Sequence, residues 1–275
     1  MTLLAPIKLS HPATRQFWEI PVLHEDAQVL GLDKPADLPV SPQRENREAP
    51  SLLGLLHAAI RAQAPWTVAR GLRTVSRVHR VDAEMSGVLL LARDRPALAH
   101  LANQFGSEAA QLVCLALVHG SPPEAAFTVD LRLAPDVSFP GRLRADPQGG
   151  RRSVTRFQVI ERFADYTLVR CEPLTHRVHQ IRAHLRSRRL PVVGDGMYGG
   201  SLLLLSRLKP GYRFKQHRDE LPLIRRPALH LEELTVRHPA TAEPLTLRAP
   251  WPKDLSVAVK YLRRYAPVPA RPAAD

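Results

Sequence analysis

The stretch RVHRVDAEMSGVLLLA, residues 77–92, carries the strongest structural signal in the chain. Its second half is continuously apolar from Val88 to Ala92, and a short apolar run of this kind indicates a buried β-strand. Its first half is polar, with Asp82 two residues after Arg80. A carboxylate in a tight turn that opens onto a buried strand is well placed for catalysis. The alternative is that Asp82 only caps the turn and pairs with Arg80.

Apolar and amphipathic segments continue on both sides of this stretch. Further strands are predicted at residues 29–32, 111–118, 153–161, 166–172, 229–236 and 244–247. Helices are predicted at residues 51–62, with Ser51 as a possible N-cap, at 95–105 and at 179–188. Because strands outnumber helices and short turns join many of them, we predict an α+β fold. It consists of one catalytic domain at residues 20–256, with a mixed, largely antiparallel sheet and flanking helices. Residues 1–19 are an N-terminal extension, and residues 257–275 are a helix end followed by a disordered tail.

The charge of the chain is strongly basic and unevenly distributed. Lys and Arg outnumber Asp and Glu by 39 to 26, which gives a formal net charge of +13 and a pI near 10.6. Residues 142–190 hold twelve arginines and four acids, and residues 207–226 hold seven Lys or Arg and two acids. This balance favours a polyanionic partner such as RNA or DNA, and its concentration in two stretches suggests a binding face.

Cysteine content and apolar runs indicate the cellular compartment. Cys114 and Cys171 are too few for a disulfide framework and fit a reducing cytoplasm. The first twenty residues lack the hydrophobic region of a signal peptide, and the apolar runs are too short to span a bilayer. We therefore expect a soluble cytoplasmic protein that does not associate with membranes.

Two further segments combine polar side chains with turns. LTHRVHQIRAHL, residues 174–185, contains three histidines, but their spacing matches no zinc signature and no cysteine accompanies them. We predict no metal site, and we interpret this segment as a basic, hydrogen-bonding wall that faces a phosphate backbone. GDGMYGG, residues 194–200, has neither the GxxxxGK[ST] nor the GxGxxG pattern of phosphate-binding loops, so by itself it indicates only a turn that contains an aromatic residue.

Taken in order, these segments resemble the motifs of the RluA-type RNA pseudouridine synthases. The family pattern HRLDxxTSG is similar to residues 79–87, and the family's KPxGLxV turn is similar to residues 34–40. The pattern TGRTHQIRVHL matches at Thr175, Arg177, His179, Gln180, Ile181, Arg182, His184 and Leu185, and GDxxYG matches at Gly194, Asp195, Tyr198 and Gly199. Residues 229–255 resemble the closing strands, so the resemblance covers roughly residues 20–256.

The resemblance implies an isomerase that converts uridine to pseudouridine in structured RNA, ribosomal or transfer, with no cofactor and no metal. It implies that Asp82 is the nucleophile and that Arg177 is its ion-pair partner; whether Asp82 attacks the base or the sugar stays open. Substrate binding is expected of His79, Arg80, Cys114, His179, Gln180, Arg182 and Tyr198. We expect RNA as the partner of a monomer that needs no other protein.

The chain departs from the family pattern most clearly at Cys114, where the motif KxYxAxVxG has its active-site tyrosine. Lesser departures are Asp37 for Gly, Met85 for Thr, and His176 and Val178 for the Gly and Thr of TGRTH. Two hypotheses follow. The chain is an active synthase that tolerates Cys114, or a catalytically weakened relative that binds RNA as a chaperone or assembly factor. Both Asp82 and Arg177 are present, which favours the active enzyme.

Overall fold

The computed structural model describes residues 4–42, 48–214 and 219–268. In these residues the chain forms twelve strands, six α-helices and one short 3₁₀ helix at Gly196–Tyr198. The strands are β1 (Leu4–Ser10), β2 (Phe17–Glu25), β3 (Val29–Lys34), β4 (Ser76–Arg77), β5 (Ser86–Ala92), β6 (Gln111–His119), β7 (Ala126–Pro135), β8 (Leu143–Ala145), β9 (Arg151–Arg162), β10 (Tyr166–Pro173), β11 (Leu229–Arg237) and β12 (Pro244–Arg248). The helices are α1 (Leu52–Arg61), α2 (Pro65–Ala69), α3 (Arg95–Gly106), α4 (Gln180–Ser187), α5 (Leu205–Leu208) and α6 (Lys253–Tyr265).

The chain divides into two compact units, and β6 and β11 each run from one unit into the other. The first unit contains the chain up to Leu112 together with Leu231–Pro250. The second contains Val113–His230 together with the chain from Trp251 onward. The domain limits predicted at residues 20 and 256 stay a prediction.

In the first unit, the strand predicted after Asp82 lies inside the sheet. Strands β1, β2, β3 and β5 pair antiparallel in that order, β4 pairs with β5, and β11 lies beside β5 and pairs with β12. All seven residues of β5 are buried, as their apolar sequence predicts. Helix α1 buries its leucines in the core, and the side chain of Ser51 accepts a hydrogen bond from the N–H of Gly54. The N-cap prediction is therefore confirmed.

The N-terminal extension forms structure that the sequence analysis did not predict. Residues Leu4–Ser10 pair with β2 as the edge strand β1, and Ile7 and Leu9 are buried in the core of the first unit. The alternation of buried and exposed residues in β1 is that of a strand with one covered face.

The second unit is a sheet with the strand order β6-β10-β9-β7-β8, and all of these neighbours pair antiparallel. Leu133 of β7 packs with Ala183 of α4 and with Tyr198, so α4 covers one face of this sheet. The N–H of Leu117 in β6 donates to the carbonyl of Ala228, directly before β11 begins. The predicted α+β fold, with its largely antiparallel sheet and flanking helices, is confirmed.

The end of the chain forms the amphipathic helix α6, which buries Leu255, Ala258, Val259 and Leu262. Pro267 makes an isolated bridge to Phe163. Most of the predicted disordered tail, from residue 269 onward, lies outside the described residues. Among the described residues, no helix has the length and apolar character needed to span a membrane.

Candidate active site

Asp82 lies in the loop between β4 and β5, where its side chain is partly buried. Its carbonyl accepts a hydrogen bond from the N–H of Met85 at 3.1 Å, which closes a turn directly before the buried strand. Arg80, two residues earlier, is exposed. The loop therefore holds a carboxylate at the boundary between solvent and the core.

His79 is buried and anchors this loop to its own unit. Its Nε2 accepts a hydrogen bond from the N–H of Leu90 at 3.0 Å, and its ring stacks on Phe105 with the centroids 5.2 Å apart. Leu90 belongs to β5 and Phe105 to α3, so His79 ties the loop to both elements. These contacts make His79 a positioning residue, and the direct substrate contact expected of it stays a prediction.

Lys34 is a second anchor, which the sequence analysis did not identify as a site residue. Its side chain is fully buried, and its Nζ donates to the carbonyls of Pro35, Leu38 and Ala83 at 2.7, 3.0 and 3.0 Å. Ala83 directly follows Asp82. The ammonium group thus joins the turn after β3 to the Asp82 loop, and these charge-assisted bonds offset the cost of burying its charge.

The turn after β3 also explains one departure from the family pattern. Asp37 has a φ of 62°, in the left-handed region. Glycine adopts this conformation freely, and Asp adopts it more readily than most other residues. Replacing Gly by Asp at this point therefore keeps the backbone of the turn.

In the second unit, Gln180 organises the segment that contains Arg177. Its Oε1 accepts hydrogen bonds from the hydroxyl of Thr175 at 2.8 Å and from the N–H of Arg177 at 3.1 Å. Its Nε2 donates to the carbonyl of Val154 and the hydroxyl of Thr155, both in β9. The backbone of Arg177 is fixed in this way while its side chain stays exposed. Gln180 itself is buried, so we assign it a positioning role.

Arg182 connects α4 to the loop at residues 194–200. Its Nε and Nη2 donate to the two carboxylate oxygens of Asp195, each at 2.6 Å, and both side chains are buried. Its guanidinium also lies over the ring of Tyr198, 5.1 Å from the centroid. Two separate sequence motifs, HQIR and GDxxYG, therefore meet in one buried ion pair.

Tyr198 and His179 complete this cluster. Tyr198 is fully buried, and its hydroxyl accepts a hydrogen bond from the N–H of Leu143 at 2.8 Å. His179 is partly buried, has a φ of 51° at the start of α4, and lies edge-on to the Tyr198 ring, with the centroids 5.8 Å apart. Direct substrate contacts of His179, Gln180, Arg182 and Tyr198 stay predictions.

The solvent-facing basic wall predicted for residues 174–185 is wrong for most of its members. Gln180, Arg182 and His184 are buried. His184 bonds through Nδ1 to the hydroxyl of Thr155 at 2.9 Å, and burial lowers its pKa to about 4, so it is neutral at pH 7. Arg177 does have an exposed side chain.

Comparison with known proteins decides what these motifs belong to. A family model described as RNA pseudouridylate synthase matches residues 28–187, more than half of the chain. The chain belongs to the RNA pseudouridylate synthase family. It is 36% identical over 247 residues to the ribosomal large subunit pseudouridine synthase D of Xanthomonas campestris, covering 88% of this chain and 69% of that protein. It is 33% identical to the synthase C of Vibrio vulnificus, again covering 88% of this chain and 69% of that protein.

Solved structures support the same fold. The human RNA pseudouridylate synthase domain containing 4 superposes with a TM-score of 0.65 at 22% identity, covering 88% of this chain and 92% of that chain. At this identity the likeness shows the fold of the synthase family and nothing finer. Together with the relatives, it confirms the predicted resemblance to the RluA-type synthases.

Cys114, which stands at the position of the family's tyrosine, is buried in β6 and lies directly opposite Cys171 of β10. Burial raises the pKa of the Cys171 thiol well above its usual value, and the neighbouring Cys114 raises it further, so Cys171 is protonated at neutral pH. The prediction that Cys114 lines the catalytic cleft of this synthase stays a prediction.

The charge of the synthase is more balanced than its sequence suggests. At least six of the twelve arginines between residues 142 and 190, all within the described residues, form ion pairs with carboxylates. Four of these partners lie outside the stretch: Glu124, Asp130, Asp136 and Asp195. In the second basic stretch, Arg226 is buried and bonded to Asp254, and residues 215–218 lie outside the described residues. Nearby carboxylates therefore offset much of the predicted excess of positive charge.

The first unit also contains a group of potential metal ligands, His24, Asp26 and His238, whose nearest atoms lie within 4.8 Å of one another. The Nδ1 of His238 accepts two backbone N–H groups, so in the neutral ring Nε2 carries the proton and donates it to Asp26 at 2.9 Å. His24 bonds to the same carboxylate oxygen at 2.5 Å. Because the lone pair that a metal needs is not available on Nε2 of His238, we interpret this group as a hydrogen-bonded link between the loop after β2 and the loop after β11.

Proposed function

We propose that this chain converts specific uridines of structured RNA, ribosomal or transfer, to pseudouridine. The observation that carries the proposal is the family match over residues 28–187, which includes both the Asp82 loop and the Arg177 segment. Relatives of 33 to 36% identity are named ribosomal large subunit pseudouridine synthases, which favours ribosomal RNA. We expect the enzyme to act in the cytoplasm as a monomer.

Asp82 is the proposed nucleophile. Isomerisation breaks the bond between C1′ of the ribose and N1 of uracil and forms a bond between C1′ and C5. The hydrogen on C5 leaves as a proton and N1 takes up a proton, so there is no net gain of atoms or electrons. A carboxylate can attack only in its ionised form, at either the sugar or the base. The anchors Lys34 and His79 support this role, because they hold the loop on both sides of Asp82 and so restrict where its carboxylate can lie.

Arg177 is the proposed ion-pair partner of Asp82. A guanidinium near an Asp lowers the pKa of the carboxyl by roughly one to three units and keeps it ionised. Its exposed side chain on a backbone fixed by Gln180 is compatible with this role. Arg182, whose Nε and Nη2 are bonded to Asp195, is a second candidate partner. Arg177→Lys tests the pairing, because this variant should bind RNA normally and lose turnover, whereas unchanged turnover would exclude Arg177 as the partner.

The substrate uridine must leave its stack to reach a partly buried carboxylate. Enzymes that act on a base generally extrude it, at a cost of a few kcal/mol that is smallest for an unpaired base. We therefore expect target uridines in loops or bulges rather than within regular duplexes.

Replacement of Asp82 by Asn tests the proposal directly. The amide keeps nearly the shape of the carboxylate but is a poor nucleophile, so turnover should fall below about 1% of wild type, in keeping with the loss of a covalent step. Turnover is measured as release of the C5 hydrogen from uridine labelled at that position. Glu84→Gln makes the same chemical change in an exposed residue of the same loop and should keep full activity. Substantial turnover by Asp82→Asn rules out Asp82 as the nucleophile.

Cys114 at the position of the family's tyrosine favours a second candidate, a weakened synthase relative that acts as an RNA-binding or RNA-folding factor. The two functions separate when pseudouridine is mapped across ribosomal and transfer RNA in cells with and without the gene. A site that disappears with the gene, and does not return with Asp82→Asn, supports the enzyme. A growth or assembly defect that Asp82→Asn corrects, with no site lost, supports the binding factor.

A further inference from the structure

The loop between β7 and β8, residues 136–142, exposes two large apolar side chains in the second unit. Val137 is 86% exposed and Phe139 is 55% exposed. Burying a phenylalanine is ordinarily favourable, so a chain that could bury its loop aromatic usually does. An exposed aromatic ring at the tip of a loop therefore indicates a contact with a binding partner.

This loop is firmly built. The Nε and Nη2 of Arg142 donate to Oδ2 of Asp136 at 2.9 and 2.6 Å, and the Asp136 Oδ1 accepts the N–H of Ser138 at 3.0 Å. The N–H of Asp136 donates to the carbonyl of Arg142, which closes the loop at its base. The guanidinium of Arg142 lies 3.8 Å from the centroid of the Phe139 ring. The guanidinium of Arg142, which is held by Asp136, thus packs against one face of the ring. The side chain of Phe139 therefore has little conformational freedom left to lose on binding.

Contacts at its base connect the loop to the segment that contains the proposed site residues. The Nη1 of Arg142 donates to the carbonyl of Met197 at 3.5 Å, and the N–H of Leu143 donates to the hydroxyl of Tyr198. Tyr198 packs under Arg182 of α4, as described above. The exposed ring is therefore fixed relative to the helix that follows Arg177.

A stripe of arginines leads away from the loop on the sheet face opposite α4. In the antiparallel register Arg144 lies opposite Ala134, Arg132 opposite Arg152, and Thr128 opposite Arg156. Opposed residues, and every second residue along a strand, share a face. All four arginines are exposed, and three carboxylates accompany them: Asp130, paired with Arg152, Asp146, paired with Arg144, and Glu172, opposite Arg156 in the register. The stripe is therefore net positive.

We propose that the Phe139 ring stacks on an unpaired base of the RNA, while the stripe of Arg132, Arg144, Arg152 and Arg156 contacts the adjoining phosphates. An aromatic ring backed by a guanidinium accepts the flat face of any base, and single-stranded nucleic acid is commonly bound by such rings beside basic grooves. The ring contributes affinity for a strand that is already unpaired, which is the form in which a target uridine is expected. This inference rests on the proposed function in taking RNA as the partner.

Binding of short RNA tests it, with a single-stranded oligouridylate of about 12 nucleotides and its duplex with oligoadenylate as the two probes. Phe139→Ala should weaken binding of the single strand by roughly 5- to 100-fold and leave duplex binding nearly unchanged. Phe139→Trp should restore binding, and titration with the single strand should quench its tryptophan emission more than that of the wild type, which has three tryptophans. Phe139→Leu keeps an apolar side chain without a flat ring and should behave like Phe139→Ala. Ile160→Ala, which shortens another exposed apolar residue of the same unit, is the control.

Several results would overturn the proposal that the Phe139 ring stacks on a base. The first is that Phe139→Ala or Phe139→Leu binds the single strand as tightly as the wild type does. The second is that the wild-type protein does not bind the single strand at about 50 mM salt. The third is that the substitutions change only the oligomeric state. The oligonucleotide assay needs no turnover, so it remains decisive even if the wild-type protein isomerises no RNA. Conversely, a result in which the wild-type enzyme is active and Phe139→Ala binds and converts RNA as the wild type does refutes stacking by Phe139. That result leaves the proposed function intact.

Discussion

At the scale of the residue, the polar side chains around the proposed site fall into two groups. Arg80 and Arg177 are exposed, whereas His79, Lys34, Gln180 and Arg182 are buried and bonded within the chain. A buried polar group is costly unless it is satisfied, so each of the buried residues has to be matched by specific partners. Several residues that a motif marks are thus held in place by contacts within the chain.

His184 should make stability depend on pH. Its pKa of about 4 in the folded chain lies below the ordinary 6.5, so between pH 6.5 and 4 only the unfolded chain binds a proton. Stability contributed by the neutral ring is therefore lost as pH falls through this window, by roughly 3 kcal/mol at most. The measurement is urea unfolding of wild type and His184→Asn, whose amide reaches the same hydroxyl, at pH 7 and pH 4.

Asp33 acts with the opposite sign in an overlapping window and makes this comparison necessary. Burial raises the pKa of Asp33 from 3.8 to about 6, although the nearby charge of Lys34 lowers it in part. Ionisation of Asp33 therefore reduces the stability of the fold as pH rises through that range. Because Asp33 is present in both proteins, the difference between them isolates His184. Equal loss of stability in wild type and His184→Asn would show that this histidine does not carry the effect.

Cys114→Tyr tests how the site has adapted to a small residue. Cys114 is 2% exposed and its neighbour Leu115 is 1% exposed, so a phenol ring at this position would overpack β6. We expect a loss of about 1 to 3 kcal/mol in the free energy of unfolding, and no gain in turnover. Cys114→Ala serves as the control for loss of the thiol. A stable Tyr variant with higher turnover would instead identify the native protein as a weakened synthase with room for the missing ring.

At the scale of the element, the motif SG at residues 86–87 is a packing requirement of two strands. Gly87 has a φ of 114°, and a Cβ added there would lie 2.1 Å from the carbonyl oxygen of Leu231 in β11. The obstacle is backbone, which cannot rotate away as a side chain can. The glycine therefore permits the close approach of β11 to the strand that follows Asp82.

Gly87→Ala should accordingly destabilise the protein by roughly 3 kcal/mol or more, from strain at positive φ together with the clash. The matched control is Gly106→Ala at the end of α3, where an added Cβ meets no atom within 4 Å. That change should be neutral or stabilising by up to about 1 kcal/mol, since alanine favours helix and restricts the unfolded chain. Urea unfolding measures both, and comparable stability of the two variants would contradict the predicted clash.

At the scale of the whole molecule, the net charge of +13 predicts attraction to RNA, but internal ion pairs reduce how many arginines can reach phosphates. Six to ten phosphate contacts would lower affinity by about 10³ to 10⁵ between 50 and 200 mM salt. Because carboxylates offset half of the arginines of residues 142–190, including Arg144 and Arg152 of the stripe, we expect about four to six contacts and a loss of about 10² to 10³. Titration of a structured RNA across this salt range measures the slope, and a flat response would mean that the arginines serve only the fold.

The sequence by itself determined the fold class, most central strands and helices, and the ordered motifs that identify the family. Periodicity and caps sufficed to predict α1, α3 and β5, because a continuous apolar run or a helical apolar stripe indicates directly which residues are buried. It missed β1, since Pro6 and Lys8 interrupt that segment and only pairing with β2 makes it a strand.

Tertiary structure alone decided which polar residues are exposed. Asp195 and Arg182 are thirteen positions apart and no local pattern links them, yet they form a buried ion pair. Lys34 reaches Ala83 across 49 positions, and Glu124, Asp130 and Asp136 neutralise arginines that a count along the chain leaves unbalanced. Burial and ion pairing depend on distances in space, and these distances cannot be read from the charges and their spacing along the sequence.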